Sequence, residues 1–512
     1  MKAPASPALV VVLCTLLAGI AFGQQSSIGQ PQPNAVMPAP TPTPTPIPDK
    51  IGGVTLSGSV RFRMEDWSWF ETDQAQSDYT FFAATVRFGF SQSRERVEWR
   101  LEGQAPVLMG LPARAIAPAP QGQLGFGGTY FAANGSQNAS LIFKQGFIRF
   151  KGVFGDASSN LKIGRFEFNE GIEIIPSDPK LAIVKRDHIS QRLIGAFGFS
   201  HVGRSLDGLQ YERNFKAGNF TFVGARPTEG AFQLDGNKEL DVDFYYGAFT
   251  RPRKFARGET EWRAFVLHYH DGRPVLKTDN RPLALRSADG DNIRLTTFGG
   301  HHIGVYKAGS GKIDTLLWGA GQFGDWGNQA HRAAAIAAEA GWSPGGAKWI
   351  AKLQPWVRAG YFRSTGDGNP TDGRHGTFFQ ILPTPRQHAR LPFFNLMNNE
   401  DAFGQFRFKP QPALTMKFQA RHLRLSDAGD LWYLGGGAYQ KQTFGYAGRP
   451  SNGKRNLGWL FDLSGDVAIS KVTTMTFYLG GVRGGNVQSA IYPQGGPNPL
   501  ARLFYLELTQ TF

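Results

Sequence analysis

Between residues 54 and 512 apolar and polar positions alternate with a period of two, the pattern of strands that have one face in an apolar medium and the other in a polar one. In the last stretch, 502–512, Phe504, Leu506, Leu508 and Phe512 fall on one face, broken only by Gln510, and Tyr505, Glu507, Thr509 and Thr511 on the other. A chain that stops on such a strand has an edge that invites aggregation unless it is paired. Residues 54–65 offer the partner: Val54, Leu56, Gly58, Val60, Phe62 and Met64 on one face, Thr55, Ser57, Ser59, Arg61, Arg63 and Glu65 on the other. The expectation is an all-β fold, a transmembrane antiparallel β-barrel of the outer-membrane type whose seam joins these two strands.

The same alternation marks strands at 80–91, 97–104, 145–151, 161–168, 206–214, 220–226, 240–250, 260–270, 303–307, 315–322, 356–364, 402–409, 414–425, 459–469 and 474–482. Residues 331–341 are rich in helix formers, yet Ala333, Ala335, Ala337 and Glu339 alternate between flanking strands, so a small-residue strand is predicted there too. The body from 51 to 512 then holds about 16 to 18 strands, in the even-numbered range of such barrels. Connections are unequal: 409–413 and 470–472 are short, whereas 106–140, 272–296, 364–399 and 427–456 are long. Short turns belong on the periplasmic side and long loops outside.

From Gln24 onward no apolar run is long enough for a membrane helix, which needs roughly 18 residues or more, so any membrane insertion is by a closed barrel. The 41 Phe, 14 Tyr, 11 Trp and 64 Gly suit lipid-facing strands, interfacial girdles and close turns. Residues 1–23 read as a secretory signal: Lys2, an apolar core from Leu9 to Leu17, then Ala21-Phe22-Gly23 before Gln24. The cell outer membrane is the expected address. Cys14, the sole cysteine, lies inside the signal behind Leu13, a poor lipoprotein site, so the mature chain has no disulfide. Residues 24–50, with Thr41-Pro42-Thr43-Pro44-Thr45-Pro46 at their centre, read as an extended Pro-rich periplasmic linker and spacer.

If one face of each strand meets lipid, the other lines the lumen. The polar phase carries Arg61, Arg63, Arg87, Arg100, Arg149, Arg358 and Arg421, in a chain with 55 Lys+Arg against 40 Asp+Glu. Two readings stand. The planar guanidinium matches carboxylates, so such a lining concentrates an anionic solute; or the arginines pair with Glu65, Glu98, Glu102, Asp241, Asp243 and Asp462, also placed inward, as a structural network.

The stretch 190–208, S-Q-R-L-I-G-A-F-G-F-S-H-V-G-R-S-L-D-G, preceded by L-K-I-G-R at 161–165, resembles the alginate-export outer-membrane porin family. So does 356–368, W-V-R-A-G-Y-F-R-S-T-G-D-G. The resemblance implies an 18-stranded, monomeric barrel that passes a polyuronate outward through an arginine-lined constriction, with periplasmic export components as partners. Arg165, Arg192, Arg204, Asp207 and Arg358 would then be wall or constriction residues. Arg192 and Arg204 flank Gly195, Gly198 and Gly203, which permit a tight bend inside a lumen. Arg204 either holds a passing carboxylate or pairs with Asp207 to pin the turn. The linker and the long loop 369–399 depart from the family pattern and leave the polysaccharide unnamed. A passive anion-selective porin for small solutes is the alternative.

Other constellations point less far. Asp187, His188 and Ser190, or His201, Ser205 and Asp207, hold triad residue types without a G-x-S-x-G elbow, so no enzyme is expected. His268, His270, His301 and His302 read as polar lining rather than metal ligands. Asp367 and Asp372, like Asp289 and Asp291, carry calcium-suitable oxygens without the full spacing or terminal Glu of a calcium loop; no cofactor is expected, a loop calcium at Asp367 and Asp372 being the alternative. The arginines are dispersed at strand spacing rather than clustered with stacking aromatics, which argues against nucleic acid. Arg251-Pro252-Arg253-Lys254 is expected in an outward loop touching lipopolysaccharide phosphates.

Overall fold

The computed structural model describes residues 50–384 and 390–512; the signal sequence and all of the linker except Lys50 lie outside the described residues. Eighteen antiparallel strands form the wall: β1 (Val54–Ser68), β2 (Asp78–Ser93), β3 (Val97–Met109), β4 (Ile142–Lys151), β5 (Ser159–Phe166), β6 (Leu206–Phe215), β7 (Gly218–Pro227), β8 (Val242–Phe255), β9 (Gly258–Asp271), β10 (Ile293–Ala308), β11 (Gly311–Trp326), β12 (Gln329–Ser343), β13 (Trp356–Ser364), β14 (Asn399–Gln411), β15 (Leu414–Leu425), β16 (Asn456–Ala468), β17 (Thr473–Gly484) and β18 (Leu500–Thr511). Every strand expected from the alternation is present, and several run longer, as β10 does beyond 303–307. The Ala-rich stretch 331–341 lies in β12, whose residues alternate between buried and exposed.

Closure is by the first and last strands, with Ser59 opposite Thr511 through to Ser68 opposite Arg502. Gly58 and Phe512 exchange N–H···O bonds of 2.9 and 3.0 Å at the end of this seam. The ladder thus has no open edge, the condition for a sheet to sit in hydrocarbon. Outward positions are apolar, among them Phe62, Phe88, Leu101, Ile148, Phe298, Leu317 and Ile336. Exposed Trp262, Trp342 and Trp349 stand toward the short-turn end, where an interfacial girdle belongs.

Turns 216–217, 256–257, 309–310 and 412–413 lie at one end, the periplasmic one, and the connections 110–141, 167–205, 272–292, 365–398 and 426–455 at the other. One expectation fails here. Arg251-Pro252-Arg253-Lys254 belongs to β8 beside the turn 256–257, at the periplasmic end, and is no outward loop.

The long connections do not all stand out in solvent. Leu193, Ile194, Phe378, Phe379, Ile381, Leu382, Tyr433 and Tyr446 bury themselves against inward wall residues such as Phe244, Tyr246 and Trp318. A second cluster packs Phe126, Tyr130, Phe197, Phe232, Phe393 and Trp432 against Trp67, Tyr79 and Phe81 of the wall. These apolar side chains lose water inside the barrel rather than outside it. The loops therefore occupy the lumen toward its extracellular end.

Candidate functional site

Most of the inward arginines have counter-charges. Arg63 pairs with Glu507 and Glu65. Arg87 spans Glu102 at 3.3 Å and Glu167 at 2.8 Å, and Arg100 shares Glu102. Arg149 reaches Glu98 at 3.3 Å. Arg358 pairs with Asp314 and, at 3.0 Å, with Glu339, while Arg421 pairs with Asp401. Of the two readings of this lining, the network is the one whose contacts are present, and buried charges demand such pairing. Arg61 lies 3.9 Å from Glu507 but donates its hydrogen bonds to the Gly198 and Ser200 carbonyls, at 2.8 and 2.7 Å, and so ties the loop 167–205 to β1.

Arg165 and Asp207 do not line the lumen. They pair with each other at 2.6 Å on adjacent strands, in phase with the lipid-facing Ile163 and Leu209, so they belong to the outer wall near its extracellular end. Asp243, expected inward, likewise shares the outward phase of Tyr245 and pairs with Arg226 at 2.6 Å, and Asp241 also lies within 3.9 Å of Arg226. The partner proposed for Arg204 is therefore engaged elsewhere.

The stretch that carries the family resemblance is a lumenal loop. Its backbone interlocks with a second one: Leu382 N–H donates to Leu193 at 2.8 Å, Gly195 N–H to Leu382 at 2.9 Å, and Thr384 N–H to Gln191 at 3.1 Å. A third loop closes on both, Gly436 lying against Phe197 and Gly437 against the Ile381 carbonyl so tightly that a Cβ on either would fall 2.2 Å from its neighbour. Gly203 turns the chain back with φ +65°, a conformation that favours glycine.

Arg192 and Arg204 sit at this interlock, both 2% exposed. Arg192 donates from Nε to the His188 carbonyl at 2.6 Å and from Nη2 to Glu339 at 3.2 Å, over the Trp318 ring, and its Nη1 has no partner. Arg204 donates from Nη2 to the Gly436 carbonyl at 2.7 Å and covers Phe197, while its Nε and Nη1 have none. Among the described residues it pairs with no carboxylate, and burial pushes its guanidinium down to about 10. A cation held in this way is stabilised by any anion that reaches it.

Sequence reasoning passed over Arg263 of β9. It donates to Glu170 and Glu173 of the same loop at 2.9 Å each, leaving Nε and Nη1 unpartnered. Its signal was available, since Arg263 falls between Trp262 and Ala264 on the polar phase of its strand.

The remaining candidates disperse. His188 donates or accepts at Glu339, 2.7 Å away, and Asp187 pairs with Arg186. Ser205 donates to the Lys144 carbonyl and His201 lies beside Thr85, so neither trio forms a relay. His301 faces Glu261 inside, while His302 packs at a tilt against the exposed Trp262, ring centroids 4.3 Å apart, and His268 meets Thr296. Asp367 and Asp372 each accept a backbone N–H two residues on. Among the described residues no three His, Cys, Asp or Glu side chains are grouped to hold a metal ion.

The architecture has solved counterparts. Acinetobacter baumannii OccAB2 superposes with a TM-score of 0.54 at 10% identity, over 90% of this chain and 98% of its own. Pseudomonas aeruginosa OccK1 (OpdK) gives 0.51 at 8% identity over 89% and 98%, and OpdK with vanillate 0.51 at 9% over the same shares. At such identities the likeness is one of fold, an outer-membrane barrel. No curated protein matches the chain by sequence. The alginate export family model matches residues 126–492, from the first inward connection through the interlocked loops to β17 and just beyond. With that match over most of its length, on a closed eighteen-stranded outer-membrane barrel, the chain belongs to the alginate export family.

Proposed function

We propose that this outer-membrane channel passes an anionic exopolysaccharide, an alginate-like polyuronate, outward through its lumen. The observation that carries the reading is Arg204, a buried guanidinium with two free donors and no carboxylate partner among the described residues, held where three lumenal loops meet. A uronate carboxylate supplies the missing counter-charge, worth about 1.5 to 3 kcal/mol when desolvated and much less when the site is wet. Arg192 and Arg263, each with a free guanidinium N–H, offer weaker steps in series, and transport needs sites that release as well as hold. The interlock of the loops favours a rival reading: the lumen as described suits a small anion better than a polymer, so polymer passage requires the loops to part. Proteoliposomes separate the two. Release of a labelled polyuronate through the wild-type barrel supports the proposal; equilibration of small carboxylates with full retention of the polymer favours the porin.

A further inference from the structure

The two flanks of the outer wall differ at the extracellular end. On one, two arginines meet three aspartates: Arg165 pairs with Asp207 and Arg226 with Asp243, both at 2.6 Å, and Asp241 lies 3.9 Å from Arg226. On the other, Glu400 of β14 is shared by three cations, Arg363 of β13 at 3.6 Å, Arg424 of β15 at 3.6 Å and Arg455, just before β16, at 3.0 Å. Strand register sets this cluster, since Arg363 lies directly opposite Glu400 and Glu400 opposite Arg424.

All three wall positions share the lipid-facing phase. Arg363 follows Val357 and Tyr361, Glu400 precedes Phe406, and Arg424 follows Phe418, every one of these apolar neighbours being exposed. They stand beside the long connections 365–398 and 426–455, hence at the level of the outer-leaflet headgroups. The carboxylate is covered, with 12% of its side chain exposed, whereas the arginines keep 56%, 44% and 39%. Three cations around one covered anion leave an excess of two positive charges turned toward the membrane. Arginine forks match phosphate oxygens in geometry as well as charge.

We infer that Arg363, Arg424 and Arg455 form a binding site for a phosphate of lipopolysaccharide in the outer leaflet, with Glu400 holding the three guanidinium groups in place. The occupant follows from position: an anion presented laterally, at headgroup level, with acyl chains lying along the apolar wall below. This places the lipopolysaccharide contact at the opposite end of the barrel from Arg251–Lys254.

The test uses the full barrel extracted from outer membranes, with bound glycolipid counted by native mass spectrometry and folding checked by heat-modifiable migration. Wild-type protein is expected to retain lipopolysaccharide, and Arg363→Gln/Arg424→Gln/Arg455→Gln to lose it by about tenfold or more, as removal of charge-assisted bonds implies. Arg226→Gln on the other flank, which carries no excess of positive charge, should retain it as the wild type does. Phosphorylated lipid A should displace the bound glycolipid, and dephosphorylated lipid A should not. Equal retention by the triple variant overturns the proposal, as does equal displacement by phosphatidylglycerol vesicles or by inorganic phosphate. Should the triple variant fail to fold, Arg363→Gln alone decides, this arginine being the most exposed of the three: retention should fall in the folded single variant, and unchanged retention overturns the site.

Discussion

Arg63 on the first strand and Glu507 on the last meet across the seam, Arg63 Nε donating to Glu507 Oε2 at 2.7 Å. The pair is buried, and Arg63 also holds Glu65 and covers the Phe199 ring at 3.7 Å, so one side chain links both ends of the wall to a lumenal loop. Removing one member of a buried pair leaves the other uncompensated, at a cost of about 3 to 5 kcal/mol.

Glu507→Ala should therefore lower the temperature at which the barrel loses heat-modifiable migration, whereas Arg226→Ala, on the exposed outer rim, should leave it almost unchanged, exposed pairs being worth about 0 to 1 kcal/mol. Equal shifts for the two variants would show that the seam pair adds nothing to closure.

The loop interlock gives a second expectation. Gly437 has φ +80°, and a Cβ there would lie 2.2 Å from the Ile381 carbonyl oxygen. Gly437→Ala must strain or open the contact, the backbone strain alone costing about 1 to 3 kcal/mol. The folded variant should show larger single-channel conductance than the wild type. Unchanged conductance would mean that this interlock does not limit the lumen.

Loop stability should also depend on pH. Asp430 accepts from Thr377 Oγ1 at 2.6 Å, Asp367 N–H at 3.0 Å, Tyr433 OH at 2.7 Å and Leu431 N–H at 2.7 Å, joining the connection 426–455 to 365–398. Burial pushes its carboxyl up to about 7 against the pull of these donors. Because the folded value exceeds the unfolded one, near 4, the stabilisation is fully present below about pH 4 and is lost as pH rises toward 7. Hydrogen exchange in residues 426–450, corrected for its intrinsic pH dependence, should be at least about tenfold more protected at pH 5 than at pH 8. Asp430→Asn should abolish the difference; persistence of the full difference in that variant would assign it to another group.

The wall was legible because lipid and lumen impose a strict period of two, strong enough to find even the Ala-rich β12 among helix formers. Phase was legible too, but it was misapplied at Asp243, which precedes Tyr245 on the lipid-facing side, and it was not applied to Arg165 and Asp207, which the family resemblance offered for the wall or constriction and which follow Ile163 and precede Leu209 on that same side. Their charge suggested the lumen, whereas the outer wall near its end also meets headgroups and tolerates ion pairs. The inward loops were not legible, since their contacts are non-local and have no period. The one local hint was apolar density in a supposed solvent loop, as at Phe378, Phe379, Ile381 and Leu382. Missing it left the arginines lining an open pore, where the structure has most of them paired and Arg204, without a carboxylate partner among the described residues, at the interlock.

The central claim is that Arg204 holds the carboxylates of a passing polymer, and single-channel recording tests it most directly. Polyuronate added on the periplasmic side should block the anion current of the wild-type barrel, and Arg204→Gln, still folded, should need about tenfold more polymer for the same block. Equal block of both proteins, or chloride current that the polymer leaves untouched in the wild type, would contradict the account.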